Sequence, residues 1–111
     1  MIRKGGSVSM TLVIMDIDDF KKVNDTFGHL VGDQTLRELA NVISSTIRKI
    51  DVAARYGGEE FALILPETSI NDAKVIVKRL KENISKNELK EKFVKCGYDY
   101  TAIMYLYDLA S

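Results

Sequence analysis

Apolar and polar positions alternate along the chain in two distinct periods, and the changes of period mark the elements. A leader, "MIRKGGS" (residues 1 to 7), is polar and glycine-containing and predicts a flexible segment. "SMTLVIMD" follows, an apolar run of β-compatible residues that ends abruptly in acid and predicts a first strand. In "FKKVNDTFG", Phe20, Val23 and Phe27 recur at helical spacing and Gly28 supplies a stop. From Asp33 to Ile50, the apolar positions Leu36, Leu39, Ala40, Ile43, Ile47 and Ile50 form one stripe, with Arg37, Glu38 and Arg48 off it. That is the strongest helical period in the chain.

Two further strand-like runs, "DVAARY" and "FALILP", flank "GGEE" and predict a hairpin closed by Pro66. "SINDAKVIVKRLKENI" places Ala73, Ile76, Val77, Leu80 and Ile84 on one helical face, with Ser69 or Asn71 as the cap. The charged "SKNELKEKFVK" reads as solvent-facing, and "YTAIMYLY" as a final strand in preference to a helix. The order β-α-β-β-α-β, with a short extra helix after the first strand, predicts an α+β, ferredoxin-like core: a mainly antiparallel sheet with helices on one face.

Composition narrows the range of functions. With 111 residues, 46% of them hydrophobic, the chain has room for one continuous core and one domain, residues 1–111. Sixteen basic and sixteen acidic residues cancel, so no overall charge favours nucleic acid or an anionic membrane, and an anionic ligand must be held by local features. The lone Cys96 excludes an internal disulfide framework and fits a reducing compartment, which makes the cytoplasm the expected location. Runs such as "LVIM" and "FALIL" are too short to insert across a bilayer, and no signal-peptide pattern opens the chain.

Candidate chemistry gathers at strand ends. In "MDIDDF", Asp16 and Asp18 lie two apart with the Ile17 carbonyl between them, so both acids can point the same way. A hairpin packed beside that strand would bring Glu59 or Glu60 to Asp16. Hard oxygens from two segments outline a magnesium site, because Mg²⁺ keeps several waters and completes its shell with substrate phosphates. Gly57 and Gly58 are expected to give a tight turn with positive φ and to let a phosphate or metal approach the backbone.

"DIDDFKKVNDTFGHLVGD", followed after a helix by "RKIDVAARYGGEEF", resembles the GGDEF family, the diguanylate cyclases, in its GGEEF form, over about residues 8 to 85. The resemblance implies a fold like nucleotide cyclases and polymerase palms. It implies condensation of two GTP into cyclic di-GMP with release of two pyrophosphates, one GTP being held by each protomer of a homodimer. Asp16, the Ile17 carbonyl and Glu59 are then expected to bind two divalent ions, Mg²⁺ or Mn²⁺, with Asp18 and Glu60 as further acids of the site. Asn24 and Asp33 match a guanine-reading pair, and an aspartate suits the N1 and N2 donors that adenine lacks. Lys21 matches a phosphate-contacting lysine. Phe20 and Phe27 are expected in the core, and His29, which matches a family histidine, in packing or hydrogen bonding within its loop. Arg48 and Asp51 form R-x-x-D in the register of the family's inhibitory, product-binding site, where a planar guanidinium pairs with guanine or phosphate.

The terminal segments depart from that pattern. "MIRKGGSVS" stands where the family has a helix with an "LTGLxNRR"-like segment, which joins an upstream sensor domain. "KCGYDYTAIMYLYDLAS" stands where it has an "S-I-G" strand and a basic "AK..GRN" segment, and it holds four of the five tyrosines. Residues 86–111 are thus divergent, compatible with a truncated or frame-shifted gene. Loss of basic groups there is expected to weaken GTP binding, and an uncovered sheet face to favour self-association. Two rivals to an active cyclase follow: a cyclic di-GMP receptor using Arg48 and Asp51, and a self-associating remnant.

Overall fold

The computed structural model describes residues 9–18, 20–86 and 102–108. Its elements run β1 (Met10–Ile17), α1 (Phe20–Phe27), α2 (His29–Thr46), β2 (Val52–Arg55), β3 (Glu60–Pro66), α3 (Ile70–Ser85) and β4 (Ala102–Asp108). The strands form one antiparallel sheet in the order β2-β3-β1-β4. This is the ferredoxin-like arrangement expected, and β4 is the strand that "YTAIMYLY" predicts. The leader, Cys96, Tyr98, Tyr100 and most of the charged segment after α3 lie outside the described residues.

Strand period decides the layering. Thr11, Val13, Met15 and Ile17 alternate along β1 to one face, where they join Phe61, Leu63 and Leu65 of β3 in a buried row. Leu36, Leu39 and Ile43 of α2 and Ala73, Val77, Leu80 and Ile84 of α3 close the core over that row. Phe20 is buried with them, and Phe27 packs half-buried against them, as the helical spacing requires. The opposite face carries the other residues of each strand, and there Val52, Ile64, Tyr105 and Tyr107 remain exposed. Thr11, the polar member of the buried row, donates a hydrogen bond to the Thr68 carbonyl at 2.8 Å, which satisfies its hydroxyl.

Local chemistry sets the helix ends. Ser69 caps α3 by accepting from the Asp72 N–H at 3.2 Å, so of the two candidate caps Ser69 is the one used. Helix α2 lies one turn earlier than its apolar stripe implies. It opens at His29 after Gly28, whose φ of 91° suits glycine, and it stops at Thr46, with Ile47 already extended. The stop is imposed downstream: the Asp51 carboxylate accepts the Arg48 N–H at 2.8 Å and the Asp51 N–H returns to the Arg48 carbonyl at 3.0 Å, folding residues 48–51 into a turn. Ile50, placed on the stripe by sequence, is therefore 51% exposed. His29 is exposed in the first turn of α2 instead of lying packed in a loop.

Candidate active site

The sheet order places β3 beside β1, and the register sets Asp16 directly opposite Glu60. One residue on, the Ile17 N–H donates to the Glu59 carbonyl at 3.4 Å, so the end of β1 and the "GGEE" turn are joined. Oδ1 of Asp16 is buried and has no hydrogen-bond partner among the described residues. A buried, unpaired carboxylate oxygen is costly unless a cation or donor meets it. Burial, then the charges of Asp16 and Glu60, push the Glu59 carboxyl above its ordinary range. Asp16, Glu59 and Glu60 are thus one electrostatic group. Asp18 is exposed in the turn after β1 and is not among the charges that raise Glu59.

Among the described residues no three His, Cys, Asp or Glu side chains converge closely enough to hold a cation by themselves. The donor chemistry nevertheless suits a hard divalent ion: carboxylate oxygens, one of them orphaned, next to strand carbonyls. Such an ion takes one or two carboxylates and draws its remaining ligands from carbonyl, water and phosphate.

The two glycines act differently from each other and from expectation. Among the described residues the glycine with positive φ is Gly28, not Gly57 or Gly58. The hairpin closes through the Tyr56 N–H to the Glu60 carbonyl at 3.1 Å, a loop wide enough that no residue in it needs left-handed backbone. Gly57 instead supplies space, since a Cβ there would lie 2.5 Å from Oε1 of Glu60. Gly58 faces open space, with nothing within 4 Å of its would-be Cβ.

On the helical side, Lys21 and Asp33 are exposed and Asn24 is half-buried. Gly32, which sequence reasoning passed over, seats Asn24: a Cβ on this buried glycine would overlap the Asn24 Oδ1, so glycine lets the side chain lie against α2 there. A glycine inside a helical pattern was the available signal.

Arg48 and Asp51 close on each other. The guanidinium Nη2 lies 2.7 Å from Oδ1 of Asp51 and also donates to the Thr68 hydroxyl at 2.6 Å and the Pro66 carbonyl at 3.2 Å. The Asp51 side chain is fully buried, whereas that of Arg48 is 44% exposed. The hydrogen bond to Asp51 raises the guanidinium pKa, burial opposes this, and the charges of Asp51, Glu67 and Asp72 add to it. The pair borders a cavity of about 300 Å³, also lined by Thr46, Asp72, Ile76 and Arg79. Arg79 comes from α3 and had no signal in one dimension, being one of several cations on that helix's polar face.

Residues 3–100 match the family described as diguanylate cyclase, GGDEF domain. The chain belongs to this family. Its GGDEF domain is 48% identical over 80 residues to the response regulator PleD of Caulobacter vibrioides, which is 72% of this chain and 18% of PleD. It is 42% identical over 83 residues to the diguanylate cyclase DgcP of Pseudomonas aeruginosa, 75% of this chain and 12% of that protein. The chain therefore spans under a fifth of either relative. Among solved structures, it is similar to the GGDEF domain of DgcB from Caulobacter crescentus in complex with c-di-GMP, with a TM-score of 0.76 and 34% identity over 89% of this chain and 58% of that one. It is also similar to the active GGEEF domain of a diguanylate cyclase from Vibrio cholerae, with a TM-score of 0.80 and 27% identity over 93% and 64% of the two chains. Among the described residues no helix is long and apolar enough to cross a membrane.

Proposed function

We propose that this GGDEF domain binds GTP with divalent cations and, as a homodimer, condenses two GTP into cyclic di-GMP and two pyrophosphates. The observation that carries the reading is the buried, partnerless Oδ1 of Asp16, set opposite Glu60 and acting on Glu59. Asp16 and Glu60 are opposed across the ladder from two distant segments, and a cation there would relieve the orphaned oxygen, which a surface role does not require.

Asp16, Glu59 and the Ile17 carbonyl would hold two Mg²⁺ or Mn²⁺ ions. When bound, such ions neutralise triphosphate charge and lower the pKa of the attacking 3′-hydroxyl. Lys21, exposed at the start of α1, would pair with phosphate oxygens. Asn24, oriented by Gly32, and Asp33 would read guanine, the carboxylate accepting from N1 and N2. Each 3′-hydroxyl would lose its proton to solvent and its oxygen bond to the α-phosphorus of the partner protomer's GTP as the α–β anhydride bond breaks and pyrophosphate leaves. Gly58, open on its side-chain face, leaves room for phosphate. GTP as substrate suits a reaction in the cytoplasm.

A second reading has its own observation. Arg48 and Arg79, from separate elements, line one cavity together with the acids Asp51, Glu67 and Asp72, so guanidinium donors stand beside carboxylate acceptors, a pairing that suits a guanine-bearing ligand such as cyclic di-GMP. The two readings separate on one assay: GTP and Mg²⁺ are incubated with the chain and products resolved by chromatography. Cyclic di-GMP that disappears in Asp16→Ala supports the cyclase. Dinucleotide binding without product, lost in Arg48→Ala, supports the receptor.

A further inference from the structure

Strand β4 ends the sheet order, paired to β1 on one side and open along its other edge among the described residues. Its Met104 and Leu106 are half-buried towards the helical layer, where with Val77 of α3 they floor a groove of about 410 Å³. Lys74, Lys78 and Lys81 line the same groove from α3, against the acid Glu82. Steps of four and three residues set the three lysines on one helical face. Among the described residues none of them has an ion-pair partner. Tyr105 and Tyr107 stand on the other face of β4, each about half exposed.

We propose that this edge docks an extended, acidic segment of a partner protein, which adds a strand beside β4. An open edge presents backbone N–H and C=O groups in a row, and an extended chain satisfies them while alternate side chains enter the groove beneath. Those helix-facing side chains would be apolar over Met104 and Leu106 and acidic where they meet the three ammonium groups. Charge selects this occupant over a second copy of the chain. Antiparallel pairing of two β4 edges about a two-fold axis sets α3 beside its counterpart and brings the two lysine rows together, so the same lysines guard the edge against self-pairing. An anionic bilayer would meet the lysines but offers the edge backbone no ladder. A strand bearing carboxylates answers both features at once.

The probe is a fluorescein-labelled synthetic peptide matched to β4 in length, with threonine alternating with leucine and glutamate. Added to the intact chain, it should raise fluorescence anisotropy saturably, and amide hydrogen exchange should slow over residues 102–108. Joint substitution of Lys78→Glu and Lys81→Glu, both exposed, should weaken binding about tenfold and leave the melting temperature unchanged. The same peptide with lysine in place of glutamate should not bind. Absence of binding, equal binding of the lysine peptide, or binding that leaves residues 102–108 unprotected overturns the proposal. Protection of those residues that rises with chain concentration alone assigns the edge to a second copy and also overturns it. Protection by phosphatidylglycerol vesicles but not by the peptide assigns the surface to a membrane, with the same result.

Discussion

Asp16 and Glu60 face each other directly across the β1–β3 ladder, and the Asp16 oxygen Oδ1 is buried without a partner. Two anions so placed, with Glu59 beside them, repel, and the divalent cation of the proposed cyclase site would relieve that repulsion. Folding energy would thereby be linked to that ligand.

Removing one charge should show this linkage in both directions. Asp16→Asn is expected to stabilise the metal-free chain by about 1 kcal/mol, because it deletes a like-charge cross-strand pair. On the proposed cyclase reading Mg²⁺ or Mn²⁺ should raise the melting temperature of wild type, and Asp16→Asn should abolish that rise. Thermal denaturation with and without cation checks both signs, and a variant that still responds to Mg²⁺ removes Asp16 from the site.

The raised Glu59 carboxyl gives a pH dependence of unusual sign. Between its ordinary range and its raised folded value, the folded chain binds more protons at this group than the unfolded chain does. Its contribution to stability is then largest at acid pH and falls as pH rises through that window. Urea denaturation across mildly acidic to neutral pH should show the fall in metal-free wild type. Glu59→Gln should flatten it.

Asp51 is a structural as well as a candidate binding residue. Its buried carboxylate accepts from the Arg48 backbone and guanidinium and ends α2, so Asp51→Ala should destabilise the chain by roughly 2–4 kcal/mol. Arg48→Ala leaves the carboxylate its backbone donor and should lose less stability. Arg79→Ala, on the exposed face of α3, should leave stability within about 0.5 kcal/mol of wild type yet weaken cyclic di-GMP binding. Denaturation and calorimetry on the three variants separate the two roles.

Gly32 offers a stability and a specificity readout in one substitution. Gly32→Ala drives a methyl into the Asn24 side chain, at an expected loss of about 1–3 kcal/mol. Displacement of Asn24 should lower affinity for GTP and leave that for ATP unchanged, measured by calorimetry. Gly58→Ala, open on that side, is the control with little change in stability.

Much of this molecule was legible in one dimension, for reasons its particular residues show. Thr11, Val13, Met15 and Ile17 alternate strictly because one face of β1 is buried, and α3 announces itself by Ala73, Val77, Leu80 and Ile84 together with the Ser69 cap. Where reading failed, a side-chain or loop contact three or four residues along the chain had overridden the pattern of apolar positions or the turn preference. The α2 stripe runs on to Ile50, but Asp51 captures the Arg48 N–H and stops the helix at Thr46. Gly57 and Gly58 promised left-handed backbone, but the wider loop needs none, and Gly57 serves the Glu60 side chain instead.

The amino-acid sequence by itself determined the succession of strands and helices, the inward faces of β1, α2 and α3, and the presence of acids at "MDIDDF" and "GGEE", because period and charge are local properties of a chain. Tertiary structure alone decided that β3 lies against β1 in the register pairing Asp16 with Glu60, that Gly32 seats Asn24, and that Arg79 reaches the Arg48 cavity. Strand neighbours and helix contacts are chosen by burying the whole apolar row at once, a cooperative choice that no short segment specifies.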